Sequence, residues 1–173
     1  MKKRIVLAVD IGNTTVSLAV FQGRKITKVF CVERQATAAG FRAKLAKTLV
    51  MVKNNFPEID AVLICSVAPK ILSMVERAVY HALRIRPVII GKDIVVPIKN
   101  NYRDPKKVGQ DRLVCAYAAK SLYGQPAIII DFGTAITFDI VSKKQEYLGG
   151  IIVPGIRLSA ESLFKKTALL PKI

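Results

Sequence analysis

Two short segments of the chain carry an aspartate at the end of an apolar run, a glycine two residues on and a hydroxyl within two more. They are Asp10-Ile11-Gly12-Asn13-Thr14 and Asp131-Phe132-Gly133-Thr134-Ala135. In the first, Gly12 lets the backbone approach a ligand closely while Asn13, Thr14 and Thr15 supply amide and hydroxyl donors, a combination able to hold a phosphate. Asp10 could hold Mg²⁺ through water, as magnesium is bound by one or two carboxylates together with nucleotide oxygens. Taken alone, the segment reads equally as a hairpin turn with Asp10 as an Asx cap, and its second occurrence favours the phosphate reading. If the two copies are related by pseudo-symmetry, their turns face one another and form an ATP clamp. Asp131 lies between Ile130 and Phe132, so burial of its carboxylate is expected to require a cation.

A third segment, Gly109-Gln110-Asp111-Arg112, opens a helix. Asp111 then sits where the helix dipole favours a carboxylate, and Arg112 can point at an anion. Spacing alone fits an ordinary helix start with favourable charge. The catalytic alternative has Asp111 accepting a proton from a hydroxyl that attacks the γ-phosphate, with Arg112 gripping a substrate carboxylate bidentately. His81 has no Cys or His companion and reads as a surface or packing residue. Cys31, Cys65 and Cys115 are too dispersed for a zinc site or a disulfide framework, which suits a reducing cytoplasm.

The elements that must position these residues follow from periodicity. Residues 4–9, 15–22 and 25–32 form three β-rich runs joined by short glycine turns, an antiparallel meander. Phe41, Leu45, Leu49, Val52 and Phe56 recur on one helical face, and Pro57 ends that helix. A buried strand over 60–67 follows, then a helix opened by Pro69 with Leu72, Val75, Val79 and Leu83 on one face, then a short strand over 87–90, which extends the sheet in parallel. Residues 91–108 lack periodicity, and a helix covers 110–123. The opening plan then restarts, with strands over 127–130, 134–141 and 147–153 and a helix over 156–165. The chain therefore reads as a duplicated α/β fold: a first lobe with connector and interdomain helix at 1–123, and the start of a second at 124–173. The second copy stops at Ile173 after one helix, so its lobe is expected to be incomplete, with exposed edges and an unfinished apolar face.

With 173 residues, 51% of them hydrophobic, the chain can build one core or two small lobes, which excludes disorder, collagen and disulfide-stapled miniproteins. The Met1–Arg4 start meets Asp10 too soon for a signal peptide, and no stretch reaches the roughly 18 apolar residues of a membrane helix. The net charge of +16 points to anionic ligands. Its lysines are scattered over several elements and no aromatic-basic motif accompanies them, so nucleic-acid binding is the weakest reading.

The order of these motifs resembles the type III pantothenate kinases of the actin-like ATPase superfamily. The matching pieces are Asp10 to Thr14, Ser66-Val67-Ala68-Pro69, Gly109 to Leu113, Asp131 to Ala135, Gly149-Gly150-Ile151-Ile152-Val153-Pro154-Gly155, and Thr167-Ala168-Leu169-Leu170-Pro171. The resemblance implies a duplicated ribonuclease H-like fold. It also implies ATP-dependent phosphorylation of pantothenate to phosphopantothenate, the first step of coenzyme A synthesis, with Mg²⁺ and a monovalent cation such as K⁺ or NH₄⁺, in a cytoplasmic homodimer.

On this reading Asp10, Ile11, Gly12, Asn13, Thr14, Thr15, Val16 and Ser17 bind ATP phosphates and magnesium, and Thr134 touches ATP. Asp111 is the general base, Asp131 coordinates the monovalent cation, and Tyr102 with Gly109, Gln110, Asp111 and Arg112 holds pantothenate. The resemblance also implies a longer chain that completes the second lobe and the pantothenate site. An inactive or regulatory relative, a transcriptional accessory factor of the same fold, is the alternative, against which the three aspartates Asp10, Asp111 and Asp131 speak.

Overall fold

Alternation along the first strands decides which side of the first sheet becomes the core. The computed structural model describes residues 3–34 and 37–167. In β1 (Ile5–Ile11) the buried positions are Leu7, Val9 and Ile11, and in β2 (Thr15–Gln22) they are Val16, Leu18 and Val20, the period of two that puts one face against helices. β3 (Lys25–Glu33) completes the antiparallel meander, and β4 (Ala61–Ser66) and β5 (Val88–Ile89) extend it in parallel, giving the order β3-β2-β1-β4-β5.

The covering helices are α1 (Ala38–Asn55) and α2 (Pro69–Leu83). Thr37 caps α1 by accepting from the Gly40 amide at 3.2 Å, and Phe41, Leu45, Leu49 and Val52 are buried on its inner face. Pro69 opens α2, where a missing N–H costs nothing, and Val75 and Val79 are buried. These side chains and the alternating strand residues make one continuous core.

The chain divides between Val95 and Val96 into two compact units, and the second holds everything from the connector onward. Its strands are β6 (Lys99–Asn100), β7 (Ala127–Phe132), β8 (Ala135–Val141) and β9 (Glu146–Pro154), in the order β6-β9-β8-β7. A 3₁₀ turn at Pro105–Lys107 precedes α3 (Gln110–Tyr123), which packs on β7 and β8, and α4 (Ile156–Lys166) follows β9. The meander β7-β8-β9 repeats β1-β2-β3 strand for strand. Among the described residues β7 pairs with β8 alone, whereas β1 is flanked by β2 and β4.

One sheet face of the second unit is apolar and open. Ile128, Ile130 and Phe132 on β7 pair with Ile140, Phe138 and Ile136 on β8, and Ile128, Phe132 and Ile151 are 70%, 69% and 61% exposed. The other face, under α3, buries Val141, Tyr147 and, unusually, Asp139.

Residues 91–108 lack periodicity and read as a connector in sequence, yet β6 adds a parallel edge strand to β9, pairing Lys99 with Glu146 and Asn100 with Tyr147. The pairing is fixed by side chains: Lys99 Nζ donates to Glu146 Oε1 at 2.7 Å and Asn101 Nδ2 to Oε2 at 2.8 Å. No described helix is long and apolar enough to cross a membrane. The segment 168–171 of the last motif lies outside the described residues.

Leu45→Ala, which truncates a fully buried α1 side chain, is expected to cost about 2–5 kcal/mol in urea unfolding, whereas Met51→Ala on the exposed side of the same helix should shift the midpoint little.

Candidate functional site

The turn after β1 is closed by its own backbone: Gly12 N donates to Thr15 O at 2.9 Å. Arg34 braces the turn from β3's end, its N donating to Thr14 O at 2.8 Å and its Nη1 to Asn13 O at 2.6 Å. Asp10, Asn13 and Thr14 are exposed there, and Thr15 and Ser17 are half-buried. Ile11 and Val16 are fully buried with their side chains in the core, so of the expected phosphate-binding residues these two can offer a ligand only backbone. Register places Ser17 opposite Asp10 on the neighbouring strand.

In the second unit the equivalent turn has Gly133 N donating to Ala135 O at 3.0 Å. Gly155, just ahead of α4, donates to Thr134 O at 3.0 Å, and a Cβ there would fall 2.3 Å from Gly133 O, so only glycine allows the approach. Thr137 stands opposite Asp131, so each unit sets a hydroxyl across from its strand-end carboxylate. The sequence reading expected Asp131 to be buried and to need a cation for that reason. Asp131 is exposed towards the end of β7, on the face it shares with Thr137, and desolvation makes no such demand. His81 is exposed, as expected of a surface residue.

The buried carboxylate is Asp139, 1% exposed in the middle of β8. Its Oδ1 accepts from Arg112 Nε at 2.8 Å and from the Tyr147 hydroxyl at 2.7 Å, and its Oδ2 from Thr137 Oγ1 at 3.3 Å. Arg112 Nη2 also lies 2.7 Å from Oδ1, but off the N–H direction, and makes no hydrogen bond. The Arg112 guanidinium, expected from sequence to be held for a substrate anion, is therefore already paired inside the protein. Burial and the hydrogen bond to Asp139 push the Tyr147 phenol far above its ordinary pKa, so it stays a donor.

Asp111 is half-buried one residue before Arg112. Its Oδ1 accepts from the Arg112 backbone N at 2.8 Å. Burial raises the Asp111 pKa; the backbone hydrogen bond and the Arg112 charge oppose this, and the Asp139 and Asp131 carboxylates add to it, with a net upward shift. A carboxylate so placed is a better proton acceptor than a free one.

Tyr102 reaches the same unit's β9 through β6. Its N donates to Asn100 Oδ1 at 3.0 Å, and its ring lies on Gly149, where a Cβ would come within 2.5 Å of Cδ2 and where φ is +103°. At Gly150 a Cβ would lie 1.7 Å from Phe138 O and 2.9 Å from Arg112 Nη2. The adjacent glycines thus seat two of the side chains assigned to substrate, Tyr102 and Arg112. Asp139, Tyr147 and Thr137 were missed by sequence reasoning. The available signal was an aspartate between Phe138 and Ile140 in mid-strand, a position that needs internal partners. Among the described residues no group of three or more His, Cys, Asp or Glu could hold a metal ion. Asp10 and Asp131, each exposed with a hydroxyl residue opposite, are single oxygen donors that suit a hydrated cation shared with a phosphate-bearing ligand.

The family model described as type III pantothenate kinase matches residues 6–173. The chain is 39% identical over 171 residues to the type III pantothenate kinase of Sulfurihydrogenibium sp. (strain YO3AOP1), covering 98% of this chain and 68% of that protein. It is also 39% identical to the type III pantothenate kinase of Finegoldia magna, of which it spans 65%. Among solved structures it is similar to the Aquifex aeolicus Ppx/GppA phosphatase, with a TM-score of 0.61 and 14% identity over 94% of this chain and 56% of that one. It is similar too to the ethanolamine utilization protein EutJ of Carboxydothermus hydrogenoformans, with a TM-score of 0.54 and 12% identity over 95% and 57% of the two chains. These likenesses establish the fold as the duplicated actin-like ATPase type.

Gly150→Ala should unfold or strongly destabilise the second unit, by about 1–3 kcal/mol or more in thermal unfolding, because backbone stands where the methyl must go. Gly133→Ala, whose Cβ would meet Ala135 O at 3.5 Å, should be tolerated.

Proposed function

Because the chain belongs to the type III pantothenate kinase family, we propose that it transfers the γ-phosphoryl group of ATP to the primary hydroxyl of pantothenate, as the first step towards coenzyme A. The observation that carries this reading is the pair at the start of α3: a carboxyl whose pKa is raised, Asp111, next to a half-buried, oriented guanidinium, Arg112. Asp111 takes the hydroxyl proton as the oxygen bonds to the γ-phosphorus and the bond to ADP breaks, so that ADP leaves with the bridging oxygen. Arg112 and Tyr102, with the backbone of Gly109 and Gln110, hold the substrate through its carboxylate and polar chain.

The turn from Asp10 to Ser17 is assigned to the ATP phosphates, Ile11 and Val16 contributing main chain only, and Thr134 to ATP as well. Asp10 would hold magnesium through water and Asp131 a monovalent cation, K⁺ or NH₄⁺. When bound, these ions neutralise the charge that develops on the phosphoryl oxygens. The reading includes a homodimer in the cytoplasm. The chain spans about two thirds of the relatives' length, 68% and 65%, so the first test is whether this length suffices.

ADP release by the purified chain with ATP, Mg²⁺ and K⁺ should depend on pantothenate, and absence of that dependence in folded protein would reject the activity for this chain. Asp111→Asn should lower kcat by roughly 10²-fold or more while leaving ATP affinity within about twofold. The sign of the pKa shift makes two further demands. Since Asp111 acts when ionised, the acid limb of kcat/KM should lie above the ordinary aspartate value of about 3.9. Since its folded pKa is raised, its ionised form opposes folding. Asp111→Asn should accordingly raise Tm at pH 7, a gain that fades as pH falls through the wild-type Asp111 pKa towards that of the unfolded chain.

A further inference from the structure

We propose that Asp139 is a positioning residue that fixes the edge of Arg112 presented to the substrate carboxylate, with Tyr147 and Thr137 holding Asp139 in turn. This rests on the kinase reading for the identity of the substrate, but the clamp itself stands on the geometry.

Asp139 Oδ1 occupies one side of the guanidinium, taking Nε at 2.8 Å with Nη2 2.7 Å away. A fork-to-fork pair would use both carboxylate oxygens. Here Oδ2 turns instead to Thr137 at 3.3 Å, and the Tyr147 hydroxyl fills the remaining approach to Oδ1 at 2.7 Å. That leaves the far end of the guanidinium. Nη2 is buried in the ion pair with Asp139 but makes no well-directed hydrogen bond. An Nη2 whose N–H groups are not aimed at its ion-pair partner keeps donor capacity for a second oxygen. The two Nη groups at that end present parallel donors spaced for one carboxylate. Gly150 lets the Phe138 carbonyl and the guanidinium pack against β9, since a Cβ there would sit 1.7 Å from Phe138 O and 2.9 Å from Nη2.

The arrangement answers why a carboxylate is buried to 1% exposure in mid-strand at all. Arginine loses considerable rotamer entropy on being held still, and Asp139 makes that loss a cost of folding rather than of binding. It also cancels the guanidinium charge, so the substrate is read by the direction of two N–H groups and not by net attraction.

The test compares the full chain with Asp139→Asn and Tyr147→Phe, following steady-state kinetics with pantothenate and, by NMR, exchange of the Arg112 Nε–H proton. Asp139→Asn should raise the KM for pantothenate by about tenfold or more with kcat changed less than about threefold, and leave the KM for ATP unchanged. Tyr147→Phe, which keeps the carboxylate and removes one donor, should raise the pantothenate KM a few-fold and remains informative if Asp139→Asn does not fold. The Arg112 Nε–H should exchange slowly in the wild type and faster in both variants. Unchanged pantothenate KM in the folded variants, or an unprotected Nε–H in the wild type, overturns the proposal. A wild-type chain that shows no pantothenate turnover but keeps a protected Nε–H, lost in the variants, would sink the kinase reading and leave the clamp standing.

Discussion

The second unit is organised around one desolvated carboxylate. Asp139 sits in an apolar strand, and its charge can be kept there only if donors converge on it from separate elements. Arg112 comes from α3, Tyr147 from β9 and Thr137 from Asp139's own strand, so the demand of a single buried group draws the start of α3 onto the β8–β9 pair. Asp111 inherits its place from that docking, because it precedes Arg112 at the helix start. Its raised pKa follows from the burial that results, augmented by the neighbouring carboxylates.

The two glycines of β9 are the complement of this arrangement. Side chains on β9 would fill the space that the Tyr102 ring and the Arg112 guanidinium occupy, so the strand gives up packing atoms at Gly149 and Gly150 to let functional groups lie against its backbone. Gly155 does the same for the turn at Gly133 and Thr134. The glycines of the motif from Gly149 to Gly155 are therefore steric permissions for groups that belong to other elements.

Much of this was legible in the sequence because the elements are strongly periodic. The β2 run and the α3 run match the strand Thr15–Gln22 and the helix Gln110–Tyr123, and the buried faces of α1 and α2 fall on the apolar positions that periodicity selects. Strand β6 was invisible, since a two-residue Lys-Asn segment has no alternation and is recruited by the carboxylate of Glu146, a distant partner. Asp139 was passed over for the same reason: its partners are 27 residues away at Arg112 and 8 away at Tyr147, beyond any local pattern. Asp131 misled in the opposite direction. An isoleucine run reads as buried on both sides, but Asp131 lies towards the end of β7, on the face it shares with Thr137 and Asp139, and is exposed there. The turn after β1 was readable as a turn, yet which of its side chains face inward, Ile11 and Val16, follows from sheet register.

Tyr102 and Arg112 are tethered in physically different ways. Arg112 is held by a partner with 2% of its side chain exposed, whereas the segment that carries Tyr102 is pinned through Lys99 and Glu146, with 68% and 17% of their side chains exposed. Dissolved ions reach the second pair and not the first. Rising ionic strength therefore loosens the segment that carries Tyr102 while Arg112 keeps its place, so one side chain is adjustable by the medium and the other is a fixed reference.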